Sequence, residues 1–305
     1  MKILVTGGAG FIGSHIVDSL IREGHDVVVL DNLYSGKKEN VNSEAEFILM
    51  DIRDKEVAKV FKGHKFDVVY HLAAQMDVRK SVEDPALDAN INILGSINLL
   101  ENCVDTGVKK FIFASSGGVM YGECSDRYPE ETEYPDPLSP YGDSKLALEF
   151  YLNFYRDSYG LESVALRFGN VYGPRQDPHG EAGVVAIFSG RMLNGEDVYI
   201  FGDGDQVRDY VYVGDVARAN LKALKKGNGV YNIGTGKSRS VNELFDILKD
   251  ITGYEKKAVY ESARAGELQI SRMGVSKAKE ELNWYARVYF KRGLENTVEY
   301  FKRGS

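Results

Sequence analysis

The chain has 305 residues, a mass of 34.0 kDa and a formal net charge of -7. This length can bury a large core and exceeds the usual size of one domain, so we expect one large domain and a smaller one. The acidic balance argues against non-specific nucleic-acid and membrane-surface partners, and Cys103 and Cys124 are too few for a disulfide framework. No Cys/His spacing resembles a metal site, and we expect a cytoplasmic protein.

The first predicted element is a strand that runs into a glycine-rich turn and a helix. Lys2-Ile-Leu-Val-Thr6 precedes Gly7-Gly-Ala-Gly10-Phe11-Ile12-Gly13, and the helix is predicted over roughly residues 11–23. Glycines permit a tight turn and a close approach to phosphates, while the first amides of the helix direct its positive dipole end at an anion. The pattern predicts a site for a dinucleotide pyrophosphate.

A second buried strand over residues 26–30 ends in Asp31. A carboxylate at this place can accept both hydroxyls of an adenosine ribose and repels a 2'-phosphate, which favours NAD over its phosphorylated form. The alternative is a solvated loop acid after an unrelated glycine cluster. The register of strand, glycines, helix, strand and acid favours the NAD site.

Further apolar runs alternate with helical patterns along the first half of the chain. They occupy residues 47–50, 68–72, 111–114 and 164–168. Continuous apolar strands are typical of a parallel sheet covered on both faces. We therefore predict an α/β fold with a doubly wound parallel (Rossmann) sheet over residues 1–170. A return segment at about 209–236 is expected to join this domain. Residues 171–208 and 237–305 are expected to form a smaller α/β substrate-binding domain.

Two helical segments, residues 91–104 and 146–155, are apolar on more than one face. Such a pattern indicates burial on two sides, either against the sheet and a second subunit or within a deeper core of the same chain. The first reading predicts a homodimer.

Tyr141 and Lys145 lie one helical turn apart at the start of the second apolar helix. This spacing alone proves little, because Tyr34 and Lys38 show it too. Tyr141, however, follows the strand 111–114 and its loop, and ligands bind at the carboxyl ends of such strands. We expect Lys145 to lower the pKa of the Tyr141 phenol, which would make it a base near neutral pH.

The sequence resembles the extended short-chain dehydrogenase/reductase family, and within it the UDP-glucose 4-epimerases, over essentially its whole length. The motifs that carry the resemblance are Thr6-Gly-Gly-Ala-Gly-Phe-Ile-Gly13, Asp31-Asn-Leu33, His71-Leu-Ala-Ala74, Ser115-Ser116 before Tyr121-Gly122, Tyr141-x-x-x-Lys145, Arg167-Phe-Gly-Asn-Val-Tyr-Gly-Pro174, Gly202-Asp-Gly204, Arg208-Asp-Tyr210 and Arg264-Ala-Gly-Glu267.

The resemblance implies roles for individual residues. Tyr141 would act as catalytic base and acid, Lys145 would bind the nicotinamide ribose, and the Ser116 hydroxyl would bond the sugar O4. His71 is interpreted as a structural strand-end residue. The implied NAD-binding residues are Gly7, Gly10, Phe11, Ile12, Asp31, Asn32, Ser35, Gly36, Asp51, Ile52, Leu72, Ala73, Ala74, Asn92, Tyr141, Lys145 and Phe168. The implied UDP-sugar-binding residues are Ser116, Asn170, Val184, Tyr199, Phe201, Arg208, Arg264, Glu267 and Ser271.

The residues after Ser116 favour one reaction of this family. Related dehydratases carry an acidic residue just after the catalytic hydroxyl, whereas this chain has Gly117-Gly-Val-Met120. The resemblance therefore implies an isomerase of galactose metabolism that interconverts UDP-glucose and UDP-galactose through a transient 4-keto sugar. Ser271 stands where a large aromatic residue would exclude an acetamido group, so N-acetylated UDP-sugars are also expected. The alternatives are a UDP-glucuronate epimerase or decarboxylase and, least favoured, an inactive NAD-binding module.

Overall fold

A computed structural model of the chain describes residues 1–124, 127–178, 183–264 and 267–303. Its strands are β1 (Lys2–Thr6), β2 (Asp26–Asp31), β3 (Glu46–Leu49), β4 (Val68–His71), β5 (Lys110–Ser116), β6 (Glu162–Phe168), β7 (Asn170–Tyr172), β8 (Tyr199–Phe201), β9 (Val207–Arg208), β10 (Tyr210–Tyr212), β11 (Gly229–Ile233), β12 (Arg239–Ser240), β13 (Val259–Glu261) and β14 (Ile270–Ser271).

The α-helices follow the strands in an alternating pattern over the first part of the chain. They are α1 (Phe11–Arg22), α2 (Val57–His64), α3 (Val78–Glu83), α4 (Pro85–Ala89), α5 (Gly95–Thr106), α6 (Pro140–Tyr159), α7 (Val184–Leu193), α8 (Val213–Lys225), α9 (Val241–Thr252), α10 (Ser276–Glu281) and α11 (Phe290–Arg303). A π-helical turn over Asn90–Leu94 joins α4 to α5.

The central sheet has seven strands in the order β11-β6-β5-β4-β1-β2-β3, and all of its pairs are parallel. The predicted fold class, a doubly wound parallel sheet, is confirmed. The chain moves outward in opposite directions from β1, so the crevice between the carboxyl ends of β1 and β4 is the topological switch point where such sheets bind ligands.

Apolar side chains cover both faces of the sheet. One core cluster joins the sheet to α1 and α8 through residues such as Ile16, Leu20 and Val216, and the other joins it to α2, α5 and α6. This two-sided burial explains why the strands read as continuous apolar runs in the sequence. Within the described ranges, no helix is both long enough and apolar enough to cross a membrane.

Smaller elements lie beyond the carboxyl ends of the central strands. Pairs form between β7 and β10 and between β8 and β13, while β9 lies between β12 and β14. A separate core cluster, which includes Phe188, Leu244 and Leu294, packs α7, α9 and α11 together. These elements stand over the same edge of the sheet as the switch point.

Candidate active site

The glycine-rich turn leaves no space for side chains between β1 and α1. Gly7 has a φ of +71°, and a β-carbon built on it would lie 2.5 Å from the backbone nitrogen of Ala73, just after β4. A β-carbon on Gly13 would lie 2.1 Å from the Gly7 carbonyl oxygen. The N-cap residue Gly10 makes no side-chain cap, so the first amides of α1, those of Phe11 and Ile12, can receive an anion. The turn fits a dinucleotide pyrophosphate.

Asp31 ends β2 with a buried side chain that organises the surrounding loops. Its Oδ2 accepts a hydrogen bond from the Ala9 amide at 3.0 Å, and its Oδ1 accepts one from the Leu33 amide at 2.8 Å. A β-carbon on Gly36 would lie 3.1 Å from Oδ1, so glycine lets this loop pass close to the carboxylate. A carboxylate has about four lone-pair sites, which leaves Asp31 able to accept ribose hydroxyls as well.

The residues predicted to flank the adenosine form a second polar group at this edge. The Asn32 amide donates to Asp51 Oδ2 at 2.9 Å. Hydrogen bonds from Arg53 lower the pKa of Asp51 to about 2, so this carboxylate is ionised at neutral pH. Ile52 is buried beside them, and Ser35 is exposed.

The segment after β4, Leu72-Ala73-Ala74, is fixed to the π-helical turn by one side chain. Asn92 Oδ1 accepts from the Gln75 amide at 2.8 Å, and Asn92 Nδ2 donates to the Gln75 carbonyl at 2.9 Å. Both ends of the Asn92 amide therefore hold the backbone of the residue that directly follows the segment assigned to NAD.

Two elements converge on the proposed catalytic group. β5 ends at Ser116, and α6 begins at Pro140. The N-cap residue Ser139 accepts a hydrogen bond on its hydroxyl from the Gly142 amide at 3.2 Å. This start places Tyr141 and Lys145 one turn apart on α6, and the Tyr141 phenol is hydrogen-bonded to the Ser116 hydroxyl. The structure thus brings together the three residues that the sequence proposes as catalytic.

The ionisation of this group differs from the sequence-based expectation. Burial raises the pKa of Tyr141 to about 12, although the hydrogen bond with Ser116 acts in the opposite direction. The expected lowering of this pKa is wrong for the chain by itself, because desolvation of the phenol dominates and the charge of Asp88 also raises the pKa. Burial lowers the pKa of Lys145 to about 8, and its Nζ donates to the Ala114 carbonyl at 2.9 Å.

His71 is held as a neutral structural residue. Its ring lies 2.7 Å from Thr6 Oγ1 through Nδ1 and 2.8 Å from Ser96 Oγ through Nε2. Burial, followed by the charge of Lys145, lowers the pKa of His71 to about 3. His71 therefore links β4 to β1 and α5 and does not exchange protons near neutral pH.

Other predicted residues lie close to Ser116. Phe168 is its partner in the parallel register of β5 and β6. The side-chain oxygen of Asn170 lies 3.4 Å from the place where a β-carbon on Gly118 would stand. Ser271, only 4% exposed, donates its hydroxyl to the Gly118 carbonyl at 3.0 Å.

A cavity of about 280 Å³ opens over β8, and several predicted nucleotide-binding residues line it. The lining residues are Phe201, Gly202, Asp203, Gln206, Ala263, Arg264, Glu267 and Gln269. The Arg264 guanidinium lies 3.7 Å from the centre of the Phe201 ring, and Arg208 NH2 lies 3.4 Å from Glu267 Oε1. Residues 265 and 266, inside one of the family motifs, lie outside the described residues.

Val184 and Tyr199 each lie at the start of a secondary-structure element. Val184 begins α7, and Tyr199 begins β8 with its ring 5.0 Å from the Arg191 guanidinium. Neither is among the described residues that line the cavity. Their predicted roles toward UDP remain predictions.

A buried ion pair close to the proposed catalytic group has no role in the sequence-based expectations. Arg167 and Glu149 are 3% and 4% exposed and are joined by hydrogen bonds of 2.9 Å and 2.6 Å. Glu149 Oε1 also accepts from Ser115, and Arg167 donates to the Tyr121 hydroxyl. The available signal was a glutamate one turn after Lys145 on a helix otherwise rich in apolar residues.

Comparisons with known proteins agree with this arrangement. The sequence model of the NAD dependent epimerase/dehydratase family matches residues 3–234. The chain is 56% identical to a UDP-glucose 4-epimerase from Thermotoga maritima solved with UDP-glucose, with a TM-score of 0.98 over 100% of this chain and 99% of that one.

Two further solved structures are similar over nearly their full length. A Thermus thermophilus UDP-glucose 4-epimerase complex with NAD is 48% identical, with a TM-score of 0.96 and 99% of each chain covered. A UDP-N-acetylglucosamine 4-epimerase from Methanobrevibacter ruminantium, in complex with UDP-N-acetylmuramic acid, is 39% identical, with a TM-score of 0.94 over 100% of this chain and 99% of that one.

These findings confirm the predicted family and NAD as the cofactor. The glycine turn supplies an independent structural reason, since it fits the pyrophosphate of such a cofactor. The chain belongs to the NAD dependent epimerase/dehydratase family, within the extended short-chain dehydrogenases/reductases.

Proposed function

We propose that the chain catalyses the NAD-dependent 4-epimerisation of UDP-glucose and UDP-galactose through a transient 4-keto sugar. The observation that carries the proposal is the hydrogen bond between Tyr141 and Ser116 at the switch-point edge of the sheet. The relatives support the same activity, and the prediction of an isomerase of the UDP-glucose 4-epimerase type is confirmed at that level.

The chain's own residues account for binding and for proton movement. When bound, NAD supplies a positively charged ring that can accept a hydride from C4 of the sugar. Tyr141 accepts the proton of the sugar O4 and later returns it, while Ser116 orients that oxygen. Lys145, buried and held by the Ala114 carbonyl, presents a positive charge beside the phenol; together with the positive ring of bound NAD it would favour the phenolate that burial disfavours in the free chain. The same pair serves both directions because epimerisation restores every proton.

The nucleotide must stay anchored while the sugar turns over, which explains why charged and aromatic groups are concentrated away from Tyr141. Arg208 and Arg264 provide guanidinium groups for the diphosphate, and Phe201 provides a ring face for the base. In the free chain Arg208 faces Glu267 and Arg264 covers Phe201. We propose that the UDP group takes over both contacts.

The direct test is product analysis. Purified protein, with no cofactor added, is incubated with UDP-galactose, UDP-glucose, UDP-N-acetylglucosamine and UDP-glucuronate, and the stereochemistry at C4 is read by NMR. We expect inversion at C4 of UDP-galactose and UDP-glucose with no change in mass. Loss of one carbon from UDP-glucuronate would instead identify a decarboxylase, and selective epimerisation of UDP-glucuronate would identify the other alternative. No conversion in the presence of added NAD would leave the inactive binding module.

Ser271 favours an additional range of N-acetylated substrates. Its small side chain lies against Gly118, in the loop that follows Ser116. We expect Ser271→Tyr to reduce turnover of UDP-N-acetylglucosamine at least about tenfold more than that of UDP-galactose, because the ring occupies the space of the acetamido group. The measurement is kcat/KM for both sugars. Ser271→Ala, which loses the hydroxyl and keeps the space, is the control, and an equal loss for both sugars in the tyrosine variant would contradict the assignment.

We also propose the domain division expected from the sequence: residues 1–170 with about 209–236 bind NAD, and 171–208 with 237–305 bind the nucleotide sugar. The packing of α8 on α1 and the pairing of β11 with β6 support the return of the middle segment. Buried thiols at Cys103 and Cys124 support a reducing cytoplasmic setting, and galactose metabolism follows from the proposed substrates.

The proposed homodimer forms through the apolar faces of the π-helical turn and α6. Leu94, Phe150, Phe154 and Tyr159 are at least half exposed, which makes full burial of these faces within one chain untenable. We expect a dimer in sedimentation at micromolar concentration, and we expect Phe154→Glu to shift the protein to a monomer because a charge cannot be buried there unpaired. A wild-type monomer at that concentration would remove the proposal.

A further inference from the structure

Asp88 is a buried carboxylate that the proposed mechanism does not use. It lies on α4 and is 1% exposed. Its Oδ1 accepts hydrogen bonds from Gln75 Nε2 and from Asn92 Nδ2, each at 3.0 Å. Its Oδ2 has no hydrogen-bond partner among the described residues. A buried carboxylate with one oxygen unbonded is unfavourable unless its charge stabilises an opposite charge nearby.

The carboxylate is joined to the start of α6 by a short chain of contacts. Asn92 Nδ2 lies 3.3 Å from Ser144 Oγ, and Ser144 donates to the Tyr141 carbonyl at 2.9 Å. The same region of α6 carries Lys145, which is 4% exposed and forms no ion pair with a carboxylate in the described part of the chain. A buried ammonium bound only to a carbonyl and aromatic rings lacks a direct counter-charge.

Asp88 is the carboxylate whose charge most favours the ammonium form of Lys145. Burial lowers the pKa of Lys145, and the charges that oppose this are Asp88 first and Glu149 second. Asp88 also acts on Tyr141, whose pKa it raises together with the dominant effect of burial. Glu149 is already bound by Arg167 in a two-point ion pair, so much of its charge is compensated.

The other ionisable groups around Lys145 do not provide the counter-charge. On β4, His71 is neutral near physiological pH. The charged residues of α3 are exposed or partly exposed, and the hydrogen bond from the Tyr141 amide to α3 is accepted by the uncharged hydroxyl of Ser81. Asp143, on α6 itself, is exposed and therefore screened by water.

We propose that Asp88 is a positioning residue whose buried negative charge keeps Lys145 in its ammonium form beside Tyr141. This inference rests on the proposed function only in assuming that the Lys145 ammonium assists proton transfer by Tyr141. The charge arrangement itself belongs to the free chain. Removing the carboxylate disfavours both the ammonium and the protonated phenol, so the ionisations of Lys145 and Tyr141 both move to lower pH.

The test is a titration of Lys145 in the free protein. The Asp88→Asn variant is isosteric: its amide oxygen can accept the bonds from Gln75 and Asn92, and its NH2 group takes the place of the unbonded Oδ2. With lysines labelled by carbon-13 at Cε and the Lys145 signal assigned by its loss in Lys145→Arg, we expect the titration midpoint to fall by about one pH unit or more. The high-pH limb of UDP-galactose turnover is expected to move in the same direction.

Asp143→Asn is the matched control, since it removes a negative charge at an exposed position of the same helix as Tyr141. Its Lys145 midpoint is expected to stay within about 0.3 pH unit of the wild type. An unchanged midpoint in Asp88→Asn, or equal shifts in both variants, would overturn the proposal. If Asp88→Asn does not fold, Asp88→Ser repeats the test, and failure of both to fold while Asp88→Glu folds would assign Asp88 a structural role instead.

The two proposals fail separately. The Lys145 titration needs no substrate and no turnover. A midpoint that falls as expected in a protein that converts no UDP-sugar would refute the proposed function and leave the role of Asp88 intact.

Discussion

Replacing Tyr141 with phenylalanine is expected to lower turnover of UDP-galactose by about 10²- to 10⁴-fold, the usual contribution of a positioned acid–base group. The variant keeps the ring, so it loses the hydroxyl and its hydrogen bond with Ser116 and little else. The expected loss is in kcat, with KM nearly unchanged, because the groups proposed to hold UDP lie around Phe201 and Arg208.

Tyr34→Phe is the matched control for this variant. Tyr34 has the same spacing to Lys38 that Tyr141 has to Lys145, but it is 76% exposed and its hydroxyl accepts from Lys80. We expect its turnover to stay within about twofold of the wild type, as for most surface substitutions. Near-normal turnover by Tyr141→Phe, with its fold shown intact by circular dichroism, would remove Tyr141 from the chemistry.

Much of the fold could be predicted because its signals are local. The glycine turn requires a left-handed φ at Gly7, and no residue with a side chain fits there. The ends of α9 have local signals as well, since Ser240 and Glu243 form a capping box and Gly253 ends the helix with a φ of 72°. Such features depend on neighbouring residues alone.

The electrostatics of the site could not be predicted in the same way. The raised pKa of Tyr141 follows from its desolvation where α6 packs on α3, α4 and β5, and this packing has no local sequence signal. The burial of Asp88 has no local sequence signal either, because its helix has only five residues. Its proposed effect depends on its position relative to Lys145 and Tyr141 of α6. The contact of Arg264 with Phe201 likewise joins residues far apart in the chain.

The Arg167–Glu149 pair illustrates why a motif can be recognised without its physical role. The sequence places Arg167 at the end of an apolar strand, where an arginine is out of character. Only the fold shows that Glu149 of α6 meets it with two hydrogen bonds and that Tyr121 completes the contact. Burial alone would lower the pKa of the Arg167 guanidinium, but the hydrogen bonds and charge of Glu149 raise it, so the guanidinium stays charged.

Arg167→Met is therefore expected to lower the free energy of unfolding by about 3–5 kcal/mol, since it leaves the Glu149 carboxylate buried without its partner. This is a large share of the roughly 5–15 kcal/mol that stabilises a typical folded protein. Chemical denaturation of the variant and the wild type, each at neutral pH, provides the measurement. The double variant Arg167→Met, Glu149→Met is expected to recover part of the loss, because no uncompensated charge remains.

Arg292→Met on α11 separates burial from the mere loss of an ion pair. Arg292 also forms an ion pair, with Glu295 at 3.2 Å, but its side chain is 68% exposed. An exposed pair contributes about 0–1 kcal/mol, so this variant is expected to unfold close to the wild type. Equal destabilisation by Arg167→Met and Arg292→Met would show that the buried pair does not hold β6 to α6. A much larger loss for Arg167→Met would show that the buried pair stabilises the packing of β5 and β6 against α6. This packing lies next to Ser116, because the neighbouring Ser115 of β5 donates a hydrogen bond to Glu149.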